Sequence, residues 1–312
     1  MNPAVDLSAA VEVLEPHRKL RCADVQRDPG GGGINVARAL KRLGSEATAV
    51  FPCGGPMGPV LTGLLAAEDV PCVPVPIGGE TREDFSVREG ATGGQFRFIL
   101  PGPSLTPGEI DACLKAVTSR LQPGAFLVAS GSLPPGAPTD FYARLADAAV
   151  KTSARLVLDT SGAPLRAAVD HGGLFLIKPS RDELAELAGY PSAGRGLCIE
   201  IARHIVSAGH AEFVCVSLGA EGAILVGRGG AWFASAPQVA AKSTIGAGDS
   251  MLAALVWSFA NGATPAEALK LAVAAGSASL LAPGTKLCAP DDIARLMPQI
   301  QVEQIEEHAA PA

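Results

Sequence analysis

No cysteine pair, no basic cluster and no long apolar run marks this chain, and each absence closes off a class of function. The seven cysteines, at 22, 53, 72, 113, 198, 215 and 288, are odd in number, widely scattered and never spaced C-x-x-C. That argues against a disulfide framework or a zinc site and leaves them as reduced core or lining residues. Lys and Arg nowhere form a block and the formal net charge is −6, so the basic footprint of a nucleic-acid partner is missing. No apolar run reaches the roughly 18 residues of a membrane span, and no charged segment precedes a short apolar one in the manner of a signal peptide. No membrane partner and a cytoplasmic location are therefore expected. Charged residues are scarce, 18% against 48% hydrophobic, which opposes disorder and provides apolar material for a sheet covered on both faces. A length of 312 residues fits one large domain over 1–312 with a small appendage.

What is present is a rhythm. From about residue 124, short apolar runs of β type alternate with helical stretches: AFLVAS, then 138–151, RLVLDT, then 164–169, LFLIKP, then 180–188 and 195–208, then FVCVSLG. That order predicts parallel strands with crossover helices, buried on both faces. Helices over about 248–260 and 265–281 are expected to close against the sheet. The texture differs over about 11–27 and 81–100, where Phe96, Phe98 and Leu100 alternate with Gln95, Arg97 and Ile99, the pattern of strands with one wet face. These two segments are expected to pair as a small sheet that serves as a lid, a dimer surface or both, since its apolar face needs a cover.

Two glycine-rich motifs carry the chemistry. In STIGAGDSM, 243–251, Gly246-Ala247-Gly248 opens an apolar helix and Asp249 lies in its first turn. An acid there meets the positive end of the helix dipole, which is one sufficient reason for it. The other is that bare helix-start amides bind anions, and a carboxylate beside them can take a proton from an attacking hydroxyl. The run PGGGGINVARALKRLG, 29–44, passes from glycines into a helix with Ile34, Ala37, Leu40 and Leu43 on one face. It lacks the Gly-Lys-Ser/Thr ending of a phosphate-binding P-loop. It reads either as a flexible helix entry or as a place where a polyol touches backbone while Asn35 hydrogen-bonds it.

In this order, the two motifs are similar to the two signatures of the ribokinase-like sugar kinases, also called the phosphofructokinase B family. KLRC (19–22), QFRFILPG (95–102), SGSLPPG (130–136), KPSRDEL (178–184), VSLGAEGA (216–223) and GSASLLAPGTKLC (276–288) extend the likeness over nearly the whole chain, toward the branch of ATP-dependent 6-phosphofructokinases. The resemblance implies an α/β fold, a ribokinase-like three-layer sandwich with a central mostly parallel sheet and a small β-sheet lid that also builds a homodimer. It implies transfer of the γ-phosphoryl of MgATP to the C1 hydroxyl of fructose 6-phosphate. Tagatose 6-phosphate or fructose 1-phosphate is the nearest alternative substrate, and a sugar-phosphate sensor without turnover is a more distant one.

Carried onto this sequence, the resemblance makes Asp249 the base and Gly246, Ala247 and Gly248 the anion hole. Asp6, Gly31, Gly32, Asn35 and Ser132 would hold the sugar, and Lys19, Arg21 and Arg82 its phosphate. Lys178, Ser217, Gly219, Gly222, Thr244 and Gly276 would line the nucleotide, and Glu183 would reach Mg²⁺ through water. Two departures stand out. Ser180 replaces the asparagine that the family carries three residues before that glutamate, and Ser-x-x-Glu is also a helix capping box. The opening MNPAVD resembles the end of the family's first strand, so that strand is expected to be short or to begin further upstream.

Overall fold

The computed structural model describes residues 1–282 and 284–306. The chain opens with two strands, Ala4–Val11 (β1) and Ala23–Gly30 (β2), and the helix Gly32–Arg42 (α1). Ala49–Cys53 (β3), Met57–Ala67 (α2), Cys72–Pro76 (β4), Arg82–Glu89 (β5), Gln95–Phe98 (β6) and Pro107–Thr118 (α3) follow. The alternating half then runs Phe126–Ser130 (β7), Phe141–Lys151 (α4), Arg155–Asp159 (β8), Gly162–His171 (α5), Leu174–Ile177 (β9), Arg181–Ala188 (α6), Arg195–Ser207 (α7) and Ala211–Ser217 (β10). Gly222–Gly227 (β11), Gly230–Ser235 (β12), Ala247–Ala260 (α8), Pro265–Ser279 (α9), Pro290–Leu296 (α10) and Val302–Ile305 (β13) complete it.

Strands β7 to β10 are parallel, and β11 to β13 extend them antiparallel in the order β13-β12-β11-β10-β9-β8-β7. The period of two in these strands divides the core. Leu156, Leu158, Val214, Val216, Ile224 and Val226 pack with α4 to α7, whereas Val157, Cys215, Ala223 and Leu225 pack with α1, α8, α9 and α10. Three layers result. β3 and β4 form a separate parallel pair over a third cluster built on Phe51, Leu61 and Leu65. All seven cysteines are free, and Cys113, Cys198, Cys215 and Cys288 are buried in the core. No helix among the described residues is long and apolar enough to cross a membrane.

The small sheet has the order β2-β1-β5-β6. It begins at Ala4, earlier than the wet-faced pattern at 11–27 predicts, and residues 12–22 form a connection, not a strand. Pro16 and a positive φ of 60° at His17 explain the interruption, because neither is compatible with a continuous ladder. Ala4-Val5-Asp6 thus pair with Arg82-Glu83-Asp84 in the small sheet and not within the central one. Register gives the sheet two unlike faces: Asp6, Asp28, Asp84, Ser8, Ser86 and Arg97 on one, Leu7, Phe85, Val87, Phe96 and Phe98 on the other.

Helices α8 and α9 approach closely because α9 presents Ala268, Ala272 and Ala275 at i, i+4 and i+7, all fully buried. Overpacking this seam should be costly. Ala272→Leu is expected to lower the unfolding free energy by about 1–3 kcal/mol, read as a lower urea midpoint at unchanged slope.

Candidate active site

The ends of the parallel strands and the starts of two helices meet in one place. α8 begins at Gly246, which adopts φ 77°, a left-handed conformation that only glycine holds without strain, and no side chain caps the helix. The first amides of α8, at 247–249, therefore remain available to an anion. α1 begins the same way at Gly31, again with no side-chain cap. Its next residue, Gly32, lies so near β7 that a Cβ there would collide with the Ser130 hydroxyl.

Asp249 sits between these helix starts. Asn35 Nδ2 donates to its Oδ2 at 3.0 Å, and Ser130 offers a second hydrogen bond. Burial, with the nearby Asp159 carboxylate second, pushes the Asp249 pKa up to about 6, while Asn35, Lys178 and Ser130 hold it from rising further. The Asn35 amide is itself fixed from behind. Arg38 Nη1 donates to Asn35 Oδ1 at 3.2 Å and to the Pro29 carbonyl at 2.9 Å, and its other nitrogens grip Glu68 at 2.5 and 2.8 Å. Beneath Asp249, Lys178 Nζ lies 3.2 Å from Asp159 Oδ2 and close to Gly248. Burial alone would lower the lysine pKa, but the ion pair with Asp159 overrides it and the net direction is upward.

Arg38, Ser130 and Asp159 are the residues that sequence reasoning misses. SGSLPPG offers two serines: Ser132 is exposed and bonded to Asn2 Nδ2 at 3.1 Å, while Ser130 ends β7 and meets Asp249. Strand periodicity was the available signal. The turn between them is pinned by the buried Tyr142, whose hydroxyl donates to Gly131 O at 2.8 Å.

On the small sheet, Asp6 is flanked in register by Asp28 and Asp84. Burial raises its pKa to about 7 and Asp84 adds to this, whereas Arg97 and Arg82 oppose it. The three cations expected around a phosphate sit on different elements, Arg82 on β5 and Lys19 and Arg21 on the connection before β2. Arg82 donates to Asp84 Oδ1 at 2.8 Å, to Leu100 O at 2.9 Å and to Asn2 O at 3.2 Å, while its buried Nε has no partner among the described residues. Lys19 and Arg21 are exposed on the 12–22 connection. Arg97, on the polar face with Asp6, is a cation the motif reading passed over.

The other expected residues lie on β10 and the turn after it, ahead of α8, on α9 and on α6. Ser217 ends β10 and donates its N–H to Pro179 O at 3.1 Å, with Gly219 and Gly222 in the turn that follows. Thr244 is exposed, and Gly276 of α9 faces Ala247 and Met251 of α8. Glu183 closes a capping box with Ser180, accepting from its N–H at 2.8 Å while its own N–H donates to Ser180 Oγ at 3.3 Å. Among the described residues no group of three or more His, Cys, Asp or Glu is placed to hold a metal ion.

The model of the pfkB family carbohydrate kinases matches residues 1–292. The ATP-dependent 6-phosphofructokinase isozyme 2 of Mycobacterium tuberculosis is 44% identical over 295 residues, covering 95% of this chain and 86% of that protein. The Escherichia coli protein of the same name is 40% identical over 296 residues, covering 95% and 96%. The crystal structure of Escherichia coli phosphofructokinase-2 in complex with fructose-6-phosphate superposes with a TM-score of 0.90 at 38% identity, covering 96% of each chain.

A carboxylate held near pH 6 accepts protons only above that value. Any activity that uses Asp249 as a base should therefore show an acidic limb in kcat/KM near pH 6, well above the ordinary carboxylate range. Asp159→Asn removes a like charge, so the limb should move to lower pH. A pH–rate profile of both proteins checks the direction, and Asp159 is not among the groups that shift Asp6.

Proposed function

The chain belongs to the pfkB family of carbohydrate kinases, and from that premise we propose that it transfers the γ-phosphoryl group of ATP to the C1 hydroxyl of fructose 6-phosphate. The observation that carries this reading is the buried carboxylate of Asp249 beside the uncapped start of α8, where a proton acceptor and an anion site share one helical turn. Asp249 takes the C1 hydroxyl proton as that oxygen attacks. The amides at 247–249 face the charge on the transferring group, so the protein's contribution is positioning and electrostatics with no covalent intermediate. Asn35 keeps the carboxylate aimed, and Asn35, Gly32 and Asp6 offer polar contacts to the sugar hydroxyls. Lys178, anchored by Asp159, brings a fixed positive charge under the same turn.

The donor set fits magnesium carried in with the nucleotide, because Mg²⁺ in such sites is held by one or two carboxylates plus phosphates and needs no all-protein cage. Glu183 would hold it through water from the oxygen that the capping box leaves free; the ion supplies charge neutralisation on the phosphates when bound. For the substrate's own phosphate, Lys19, Arg21 and Arg82 are the cations in play, with Arg97 on the same polar face as Asp6; Arg82 is paired with Asp84 and keeps its Nε without a partner among the described residues. The opposite face of the small sheet, with Phe96 41% and Phe98 48% exposed beside Phe85, is the surface for a homodimer.

Asp249→Asn is expected to cut kcat by about 10²–10⁴-fold while leaving fructose 6-phosphate affinity nearly intact, measured by coupled ADP release and by calorimetry. Arg21→Ala should raise KM for fructose 6-phosphate roughly ten- to a hundredfold, the worth of one charge-assisted hydrogen bond, and barely move KM for ATP. Equal loss on free fructose and on fructose 6-phosphate would place the phosphate pocket elsewhere.

A further inference from the structure

Asn35 can donate to Asp249 in only one of its two amide orientations, since a half turn about the last side-chain bond exchanges its oxygen and its nitrogen. Something must choose between them. A guanidinium has donors and no acceptor, so the Asn35 atom that faces Arg38 Nη1 at 3.2 Å has to be Oδ1, and Nδ2 is left for Asp249 Oδ2 at 3.0 Å. The two contacts form one chain, from Arg38 through Asn35 to the carboxylate between the helix starts.

Cohesion alone does not call for an arginine here. Its neighbours on α1, Val36, Ala37, Ala39 and Leu40, are buried and apolar, and a buried ion pair is often no more stabilising than apolar residues of similar volume. What the arginine adds is a fixed direction. Nη1 also donates to the Pro29 carbonyl at 2.9 Å, while Nη2 and Nε hold the two oxygens of Glu68 at 2.5 and 2.8 Å. All three nitrogens are engaged, so the guanidinium cannot swing away from Asn35.

We propose that Arg38 is a positioning residue for the transfer reaction: by occupying Asn35 Oδ1 it locks the amide in the orientation that donates to Asp249, and so keeps that carboxylate in its ionised, proton-accepting form. The proposal rests on the reading of Asp249 as the base. Without Arg38 the amide is free to turn over and present Oδ1, an acceptor that bonds to the protonated acid and not to the carboxylate. Asp249 would then hold its proton to higher pH. Asp159 at the end of β8 and Lys178 after β9 are the charged groups that also act on Asp249, and neither is among the partners of Arg38.

The test compares Arg38→Met, which keeps most of the side-chain length and lets the 30% exposed Glu68 return to water, with Thr106→Ala, which removes the capping box of α3 outside the site. In each variant Asp249 is titrated without substrate by carboxyl carbon NMR, its signal assigned by its loss in Asp249→Asn, and kcat/KM is followed across pH. In Arg38→Met the titration and the acidic limb should both move up by about one pH unit, and kcat at pH 6 should fall at least about fivefold while KM for ATP stays within about twofold. Thr106→Ala should lower Tm and move neither. If Arg38→Met does not fold, Arg38→Lys takes its place with the same direction expected, because an ammonium lacks the fork that reaches Asn35, Pro29 and Glu68 together. An Asp249 titration that stays in place in the Arg38 variant, or one that moves equally in Thr106→Ala, overturns the proposal. A titration that moves while the kinetic limb does not upholds the lock and removes Asp249 as the base, so the two failures are told apart.

Discussion

One buried guanidinium ties the catalytic end of this molecule together. Arg38 is 1% exposed and reaches four residues on three segments at once: the Pro29 carbonyl and, at 4.0 Å, Asp28 near the end of β2, Asn35 on its own helix, and Glu68 after α2. Removing a charge from water costs several kcal/mol unless partners replace the hydration, and here a bidentate carboxylate and two neutral oxygens do so. The arrangement converts that electrostatic demand into geometry. Because Arg38 occupies Asn35 Oδ1, the amide can present only its N–H₂ side to Asp249. Because it also holds Pro29, the small sheet is anchored to the helix that carries Asn35. Thr285 extends the knot by donating to Asp28 at 2.7 Å, which links the small sheet to the loop beyond α9.

The helices begin in three ways: some with a capping box, α1 and α8 at glycines of positive φ, and α2, α4, α5, α7 and α10 at residues of negative φ without a side-chain cap. α3, α6 and α9 each start with a complete capping box, from Thr106, Ser180 and Thr264, so their first amides are spoken for. α1 and α8, the two that converge on Asp249, start at glycines with positive φ and carry no side-chain cap. A capped start stabilises a helix by about 1 kcal/mol. Forgoing it at these two sites is consistent with amides kept free for a ligand. Glu183 is held in its box by one oxygen while the other remains open.

How much of this could be read from the sequence follows from the physics of each part. The alternating half was legible because strands buried on both faces are continuous apolar runs, and RLVLD, LFLI and AFLVAS cannot be mistaken for surface. The small sheet was half legible. Its apolar face announced itself through Phe85, Phe96 and Phe98, but Asp6, Asp28 and Asp84 side by side contradict ordinary cross-strand pairing and hid the strand that begins at Ala4. Arg38 was illegible because an arginine at the seventh position of a helix reads as solvated; only the fold brings Glu68 to it. Asp159 looked like the last residue of a strand, and its pairing with Lys178 required knowing that β8 and β9 are neighbours.

The two-faced character of the small sheet carries a consequence of its own. Alternate residues of β1, β5 and β6 belong to opposite faces, so the polar row around Asp6 and the exposed phenylalanine row share one backbone. Any shift in twist or register that seats a ligand on the first row is transmitted to the second without an intermediary. If the outer face meets a second copy, the two events are then thermodynamically linked, and the factor by which ligand tightens association is the factor by which association tightens ligand. Dilution would weaken affinity and ligand would resist dilution, through a device no larger than four strands.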